Sequence, residues 1–193
     1  MEKFNILIVD DIKANLFSLN LLLDNNFDNI NVIEATSVKD SIKQIMKHNV
    51  DLVLTDIQMP EASGYDLAEY LLDIEETKDI PIIMISGIYE DDIYKKKAYN
   101  SSKNVVDFIT KPIDDELLVQ KLKAFINIIS SMKENKIKLE QKELELQRDR
   151  KISNMLGTIE NHFDSKIELD EEEVYEYLIK EDDLINLDDI IKK

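Results

Sequence analysis

Residues 4–11 read Phe-Asn-Ile-Leu-Ile-Val-Asp-Asp, so an apolar run ends directly in two acidic side chains. Apolar side chains on successive residues are typical of a strand in a parallel sheet, because helices cover both faces of such a sheet. Four further short apolar runs follow along the chain, at residues 32–33, 52–54, 82–85 and 105–109. Together these runs predict five buried strands.

The segments between the first four runs carry apolar residues at the spacing of an amphipathic helix. The three sets are Leu16, Leu19, Leu22 and Leu23; Val38, Ile42, Ile45 and Met46; and Leu67, Leu71, Leu72 and Ile74. Strands that alternate with helices predict an α/β fold with a parallel sheet. We therefore expect a doubly wound (βα)5 sheet with the strand order 2-1-3-4-5.

The composition excludes several classes of protein. The formal net charge is -17 over 193 residues, which disfavours a basic surface for nucleic acid or for an anionic membrane. Hydrophobic residues make up 44% of the chain, which is enough for one core and excludes wholesale disorder. The chain has no cysteine, and it has no apolar stretch of about 18 residues. We expect a cytoplasmic protein without membrane insertion.

The residues after Asp114 are predicted to form one long helix, because neither glycine nor proline occurs before Gly157. Such a helix is longer than an ordinary globular helix and is expected to extend beyond the sheet domain. Its apolar residues follow a heptad frame that charged residues interrupt, so the coiled-coil pattern is broken. The apolar members are Phe125, Ile129, Met132, Leu139 and Leu146, and the charged ones are Lys136, Glu143 and Arg150.

Residues 164–193 are acidic and amphipathic, with twelve acidic and four basic side chains. Their apolar residues recur at helical spacing, so this tail is expected to form one or two short helices that need a partner surface. That surface belongs to the sheet domain, to a second copy of the chain or to another protein. The predicted domains are therefore the sheet domain at 1–127, a linker helix with a coiled-coil pattern at 128–163, and the tail.

Polar side chains follow four of the five predicted strands at the points where the strands end, namely Asp10 and Asp11, then Asp56, Ser86 and Lys111. The carboxyl ends of parallel strands meet at one edge, where open α/β sheets bind ligands. Three carboxylates gathered there repel one another unless a cation lies among them, and oxygen ligands favour Mg²⁺. A carboxylate beside Mg²⁺, an ammonium and a hydroxyl is equipped to attack a phosphoryl group. A simpler alternative is that Asp10 and Asp11 only cap the first helix.

Four short motifs resemble the receiver domain of bacterial two-component response regulators. They are Ile-Leu-Ile-Val-Asp-Asp at 6–11, Asp-Ile-Gln-Met-Pro-Glu-Ala-Ser-Gly at 56–64, Met-Ile-Ser at 84–86 and Asp-Phe-Ile-Thr-Lys-Pro at 107–112. Each motif alone is weak, whereas four in the correct order at the correct strand ends form a specific pattern. The resemblance covers residues 3–127.

The resemblance implies that Asp56 is the phosphoacceptor and that Mg²⁺ is the cofactor. In the family pattern Asp11 binds the metal directly, and Asp10 binds it directly or through water. Asp56 and the backbone carbonyl of Gln58 complete the ligand set. Lys111 is implied to pair with the phosphoryl oxygens.

The resemblance also implies two switch residues. Ser86 would hydrogen-bond a phosphoryl oxygen once the domain is modified, and Phe108 occupies the family's aromatic switch position without the hydroxyl of a tyrosine. The stretch Asn-Val-Val at 104–106 stands where the family commonly has a Gly-Ala pair. The family's peptide bond at 111–112 is usually cis.

The function implied is a phosphorylation-dependent switch that receives its phosphoryl group from a sensor histidine kinase or a phosphotransfer protein. It would be a signalling module rather than an enzyme, with only slow self-phosphorylation and self-dephosphorylation. No DNA-binding, cyclase or methylesterase pattern follows residue 127, so we expect output through protein contacts: a homodimer through the long helix, a downstream protein target and no direct nucleic acid. Two alternatives stay open, a constitutive receiver-fold adaptor and the N-terminal fragment of a longer regulator with a missing output domain.

Overall fold

The computed structural model describes residues 3–87 and 103–162. Within them, β1 spans Phe4–Val9, β2 Ile30–Ala35, β3 Leu52–Asp56, β4 Ile82–Ser86 and β5 Val105–Thr110. The helices are α1 at Lys13–Asn26, α2 at Val38–Lys47, α3 at Gly64–Leu72 and α4 at Asp115–His162. All five predicted strands are present, and four of them extend beyond their apolar runs by one or two residues. The helix predicted between β4 and β5 lies outside the described residues.

The strands form one parallel sheet in the order β2-β1-β3-β4-β5, which confirms the predicted topology. The central strand β1 pairs with β2 on one side and with β3 on the other. Its residues Ile6, Leu7 and Ile8 are fully buried, which explains why the apolar run is continuous. Because the chain winds in opposite directions from β1 and β3, a crevice opens at their carboxyl ends.

Helices cover the two faces of the sheet with separate apolar cores. On one face, side chains of β1 and β4 pack with those of α2 and α3, including Leu7, Val9, Met84, Ile45, Leu67 and Leu71. On the other face, the core combines β1 and β3 with α1 and the first turns of α4, including Ile6, Ile8, Leu54, Leu16, Leu118 and Leu122. The strand ends are therefore held by packing on both sides.

Met46 and Ile74 are two residues of the predicted helical patterns that do not belong to these cores. Met46 is 83% exposed, because it follows the buried Ile45 by one residue and so lies about 100° further round the helix. Ile74 falls beyond α3, which ends at Leu72. Both residues had been assigned to a buried helix face from spacing alone. The direction of the side chain around α2 decides the exposure of Met46, and the end of α3 decides the position of Ile74.

The first turn of α3 is fixed by a reciprocal capping box. The Asp66 backbone N–H donates to Ser63 Oγ at 3.3 Å, and the Ser63 backbone N–H donates to Asp66 Oδ2 at 2.7 Å. The side-chain and backbone hydrogen bonds from Ser63 lower the pKa of the Asp66 carboxyl. In contrast, α1 begins after Ile12 without a side-chain cap, so the acids that precede it are not explained as caps.

Helix α4 is 48 residues long and continues through Gly157 to His162, close to the predicted end of the linker helix at residue 163. The chain divides into two compact units, residues 1–132 and 133–193. The sequence-based boundary between 127 and 128 stays a prediction. Among the described helices, none combines the length and the apolar character that crossing a membrane requires.

Candidate functional site

The carboxyl ends of β1 and β3 bring three acidic side chains together. One carboxylate oxygen from each of Asp10, Asp11 and Asp56 lies within 4.8 Å of the other two. Asp10 and Asp56 are buried, each with 6% exposure, whereas Asp11 is open to solvent. Buried carboxylates at this distance repel one another, so the pocket favours a cation.

Lys111 contributes a positive charge from the end of β5. Its Nζ lies 2.9 Å from Asp56 Oδ2 and 3.3 Å from Asp10 Oδ2. Partial burial lowers the pKa of Lys111, but the hydrogen bonds and charges of Asp56 and Asp10 outweigh that cost and leave the pKa raised. The lysine is therefore held in its charged form between two carboxylates.

The backbone around Lys111 is ordered by its neighbours. The Lys111 N–H donates to the Ser86 carbonyl at 2.7 Å, which joins the ends of β5 and β4. The peptide bond between Lys111 and Pro112 is cis, as the sequence resemblance implied. These features place the lysine at the same sheet edge as the acids.

Asp10 is anchored by groups that the sequence analysis did not identify. Its Oδ1 accepts the Ile12 backbone N–H at 2.9 Å, and Asn15 Nδ2 lies 3.0 Å from both of its oxygens. Asn15 lies on the first turn of α1, five residues after Asp10. Periodicity gives no signal for this contact, because the contact depends on how closely the start of α1 approaches the end of β1.

Gly64 allows α3 to begin directly against the end of β3. A Cβ at this position would lie 2.5 Å from the Asp56 carbonyl oxygen and 3.2 Å from Ile57 Cα. The Gly64 N–H also donates to the Ile57 carbonyl at 3.0 Å. The sequence had identified this glycine only as the last residue of the motif at 56–64, whereas the structure gives it a steric role beside Asp56.

The remaining predicted site residues occupy different places around this edge. Gln58 is exposed and lines an open cleft with Asp11. Ser86 is fully buried, and its hydroxyl donates to the Gly87 carbonyl at 3.4 Å. Phe108 is partly buried and packs against the core beneath α2 and α3. The structure thus gathers the three acids and Lys111, while Ser86 and Phe108 make other contacts.

The donor set fits a hard divalent cation. Three carboxylates converge within reach of one ion, and the exposed side of Asp11 leaves room for water. Such oxygen-rich, partly open sites suit Mg²⁺, which keeps several waters and binds through one or two carboxylates. The pocket therefore combines a buried carboxylate, an adjacent ammonium and a set of oxygen donors that fits a cation.

A five-stranded parallel sheet in the order 2-1-3-4-5, with an acidic pocket and a lysine at its carboxyl edge, is a doubly wound α/β fold of the CheY type. The sequence profile of the response regulator receiver domain matches residues 6–123. The chain belongs to the response regulator receiver domain family.

Individual relatives support this assignment. The chain is 29% identical to the sensory transduction protein LytT of Bacillus anthracis over 136 residues, which are 70% of this chain and 51% of LytT. It is 29% identical to the protein PilH of Pseudomonas aeruginosa over 121 residues, 63% of this chain and 96% of PilH. The crystal structure of a response regulator receiver protein from Pseudomonas putida superposes with a TM-score of 0.55 at 26% identity, covering 66% of this chain and 98% of that one.

The chain spans about half the length of LytT. What the two proteins share is the receiver domain. Receiver domains bind Mg²⁺ at an acidic pocket and are phosphorylated by histidine kinases or phosphotransfer proteins.

Proposed function

We propose that this protein is a two-component response regulator that accepts a phosphoryl group on Asp56. One observation carries the proposal: Lys111 Nζ lies 2.9 Å from Asp56 while the three acids converge within 4.8 Å. This arrangement provides a nucleophile and a positive charge for the oxygens of an incoming phosphoryl group. The donor is a phosphohistidine of a sensor histidine kinase or of a phosphotransfer protein.

In the transfer step, a carboxylate oxygen of Asp56 forms a bond to phosphorus as the phosphorus–nitrogen bond of the phosphohistidine breaks. The imidazole nitrogen keeps the bonding electron pair and takes up a proton from water. Lys111 is placed to neutralise one phosphoryl oxygen, and Ser86, at the end of the neighbouring strand, offers a hydroxyl. Mg²⁺ held by Asp10, Asp11, Asp56 and the Gln58 carbonyl would offset negative charge on the phosphoryl oxygens.

The direct test is phosphorylation with acetyl phosphate and Mg²⁺, followed by intact-mass measurement. The wild-type protein is expected to gain one phosphoryl group, and Asp56→Asn is expected to gain none because an amide is not a nucleophile here. Asp107→Asn is the matched control, because Asp107 also pairs with a lysine, Lys121 at 2.7 Å, but lies outside the pocket. An Asp56→Asn protein that is modified as fully as the wild type would refute the assignment.

We further propose that output passes through α4 to a second copy of the chain. In the second compact unit, Leu139 and Leu146 lie one heptad apart and are 59% and 51% exposed. A narrow row of apolar side chains at heptad spacing is typical of a coiled-coil interface, although charged residues interrupt the heptad repeat here. Dimerisation would then place two tails and their downstream protein target together.

Sedimentation with and without beryllofluoride and Mg²⁺ tests the dimer. We expect the mass to rise on activation and expect Leu139→Ala/Leu146→Ala to stay monomeric. Ile137→Ala/Leu144→Ala is the matched control: these side chains are also one heptad apart and 53% and 69% exposed, but they lie about 200° round the helix. A mass that does not change in any variant would favour a constitutive adaptor over a switch.

A further inference from the structure

Both carboxylate oxygens of Asp10 accept hydrogen bonds from neighbouring groups. Oδ1 accepts from the Ile12 N–H at 2.9 Å and from Asn15 Nδ2 at 3.0 Å, and Oδ2 accepts from Asn15 Nδ2 at 3.0 Å and from Lys111 Nζ at 3.3 Å. Asp10 is therefore held in one orientation at the wall of the pocket.

Asn15 differs from the other donors to Asp10. The Ile12 N–H belongs to the backbone, and Lys111 is shared with Asp56. Asn15 is the neutral side chain whose amide reaches both oxygens of Asp10, so it orients the carboxylate without cancelling its charge. Its side chain does not cap α1, whose N-cap is Ile12 without a side-chain bond.

We propose that Asn15 is a positioning residue that fixes Asp10 and thereby sets the affinity of the acidic pocket for its divalent cation. The inference rests on the proposed function, because it takes the pocket of Asp10, Asp11 and Asp56 to be the cation site. Groups that hydrogen-bond to a metal-binding side chain typically contribute about 10- to 100-fold to metal affinity. Asp10 retains its Ile12 and Lys111 contacts when Asn15 is removed, so we expect the lower end of that range.

The test is isothermal titration with Mg²⁺ alone. Asn15→Ala is expected to bind Mg²⁺ about tenfold more weakly than the wild type. It should fold, because alanine is the most favourable residue in a helix. Asn15→Leu, which nearly preserves the size of the side chain, is expected to show the same loss, and Asn15→Gln is expected to recover part of it by restoring an amide.

Asn20→Ala is the matched control on the same helix. Asn20 Nδ2 donates to Glu34 Oε1 at 2.6 Å, so it makes the same kind of amide–carboxylate bond away from the pocket. We expect its Mg²⁺ affinity to equal that of the wild type. Thermal unfolding in chelator measures any purely structural loss separately. If Asn15 were only structural, Asn15→Ala would lower the unfolding temperature without changing the affinity for Mg²⁺.

The two proposals fail in different ways. If the wild type and Asn20→Ala bind Mg²⁺ and Asn15→Ala binds it within twofold of them, the role of Asn15 is refuted and the cation site stands. If the wild type binds no Mg²⁺, both the cation site and the role of Asn15 are refuted.

Discussion

Replacing Gly64 by alanine should both destabilise the protein and disturb Asp56, the proposed phosphoacceptor. The added Cβ would meet the Asp56 carbonyl oxygen at 2.5 Å, whereas ordinary contact begins at 3.4 Å, so the two backbones must separate by about 0.9 Å. No side chain can rotate away, because both closest atoms belong to the main chain. Overpacking of this kind typically costs about 1–3 kcal/mol, and the loss of chain flexibility from glycine to alanine returns up to about 1 kcal/mol.

The expected net loss is therefore about 1–2 kcal/mol in the free energy of unfolding. With a urea dependence of about 2 kcal/mol per M, the unfolding midpoint should fall by about 0.5–1 M. Gly87→Ala and Gly157→Ala are matched controls, because a Cβ at either position meets nothing within 4 Å. Gly157→Ala should even gain about 1 kcal/mol, since it lies within α4.

Beryllofluoride binding in Mg²⁺ provides the second measurement for Gly64→Ala. The added Cβ displaces the backbone carbonyl of Asp56 itself, so the affinity for beryllofluoride should decrease along with the stability of the protein. A Gly64→Ala protein that unfolds at the wild-type urea concentration and binds beryllofluoride normally would refute the close approach of α3 to β3.

Three further predictions concern charges and buried amides. In chelator, the free energy of unfolding of Asp11→Asn should exceed that of the wild type by up to about 1 kcal/mol, because one of three repelling carboxylates is removed. Saturating Mg²⁺ should reverse this order in the same urea titration. An equal gain in stability from Mg²⁺ in both proteins would contradict the prediction. Because the pKa of Asp66 is lowered in the folded state, its ionised carboxyl stabilises the fold above the unfolded pKa of 3.8, and this stabilisation is lost as the pH falls. The difference in stability between the wild type and Asp66→Asn should therefore close in acid. A difference that is constant with pH would exclude the cap. Asn104→Ala should lower the free energy of unfolding by about 1 kcal/mol, because its buried amide donates to the Ala68 carbonyl at 3.1 Å. Asn26, whose amide bond is exposed, is the control: Asn26→Ala should lower it by less than about 0.5 kcal/mol in the same urea titration.

The sheet and the acidic edge could be predicted because they depend on local patterns. The continuous apolar run before Asp10 indicated a strand buried on both faces, and parallel topology alone placed Asp56 and Lys111 at the same edge. The contacts of Asn15 and Gly64 could not be predicted in the same way. They depend on how closely a helix start approaches a strand end, which periodicity does not encode.

Burial at the ends of helices was also beyond the sequence patterns. Met46 continues the apolar spacing of α2 but points away from the sheet, since one residue changes the direction of a side chain by about 100°. Ile74 continues the apolar spacing of α3 but lies beyond the end of that helix at Leu72. Both cases show that tertiary packing decides where a periodic pattern stops.

Among the described residues, the hydroxyl of Ser86 makes one long hydrogen bond, 3.4 Å from the Gly87 carbonyl oxygen. A bond of this length is weak, because strong O–H···O bonds lie near 2.7–2.8 Å. Rotation about one side-chain torsion is therefore enough to turn the hydroxyl toward a new acceptor, and little hydrogen-bond energy is lost in breaking the old contact. Under the proposed function, the Ser86 hydroxyl would therefore turn toward a phosphoryl oxygen on Asp56 at little energetic cost.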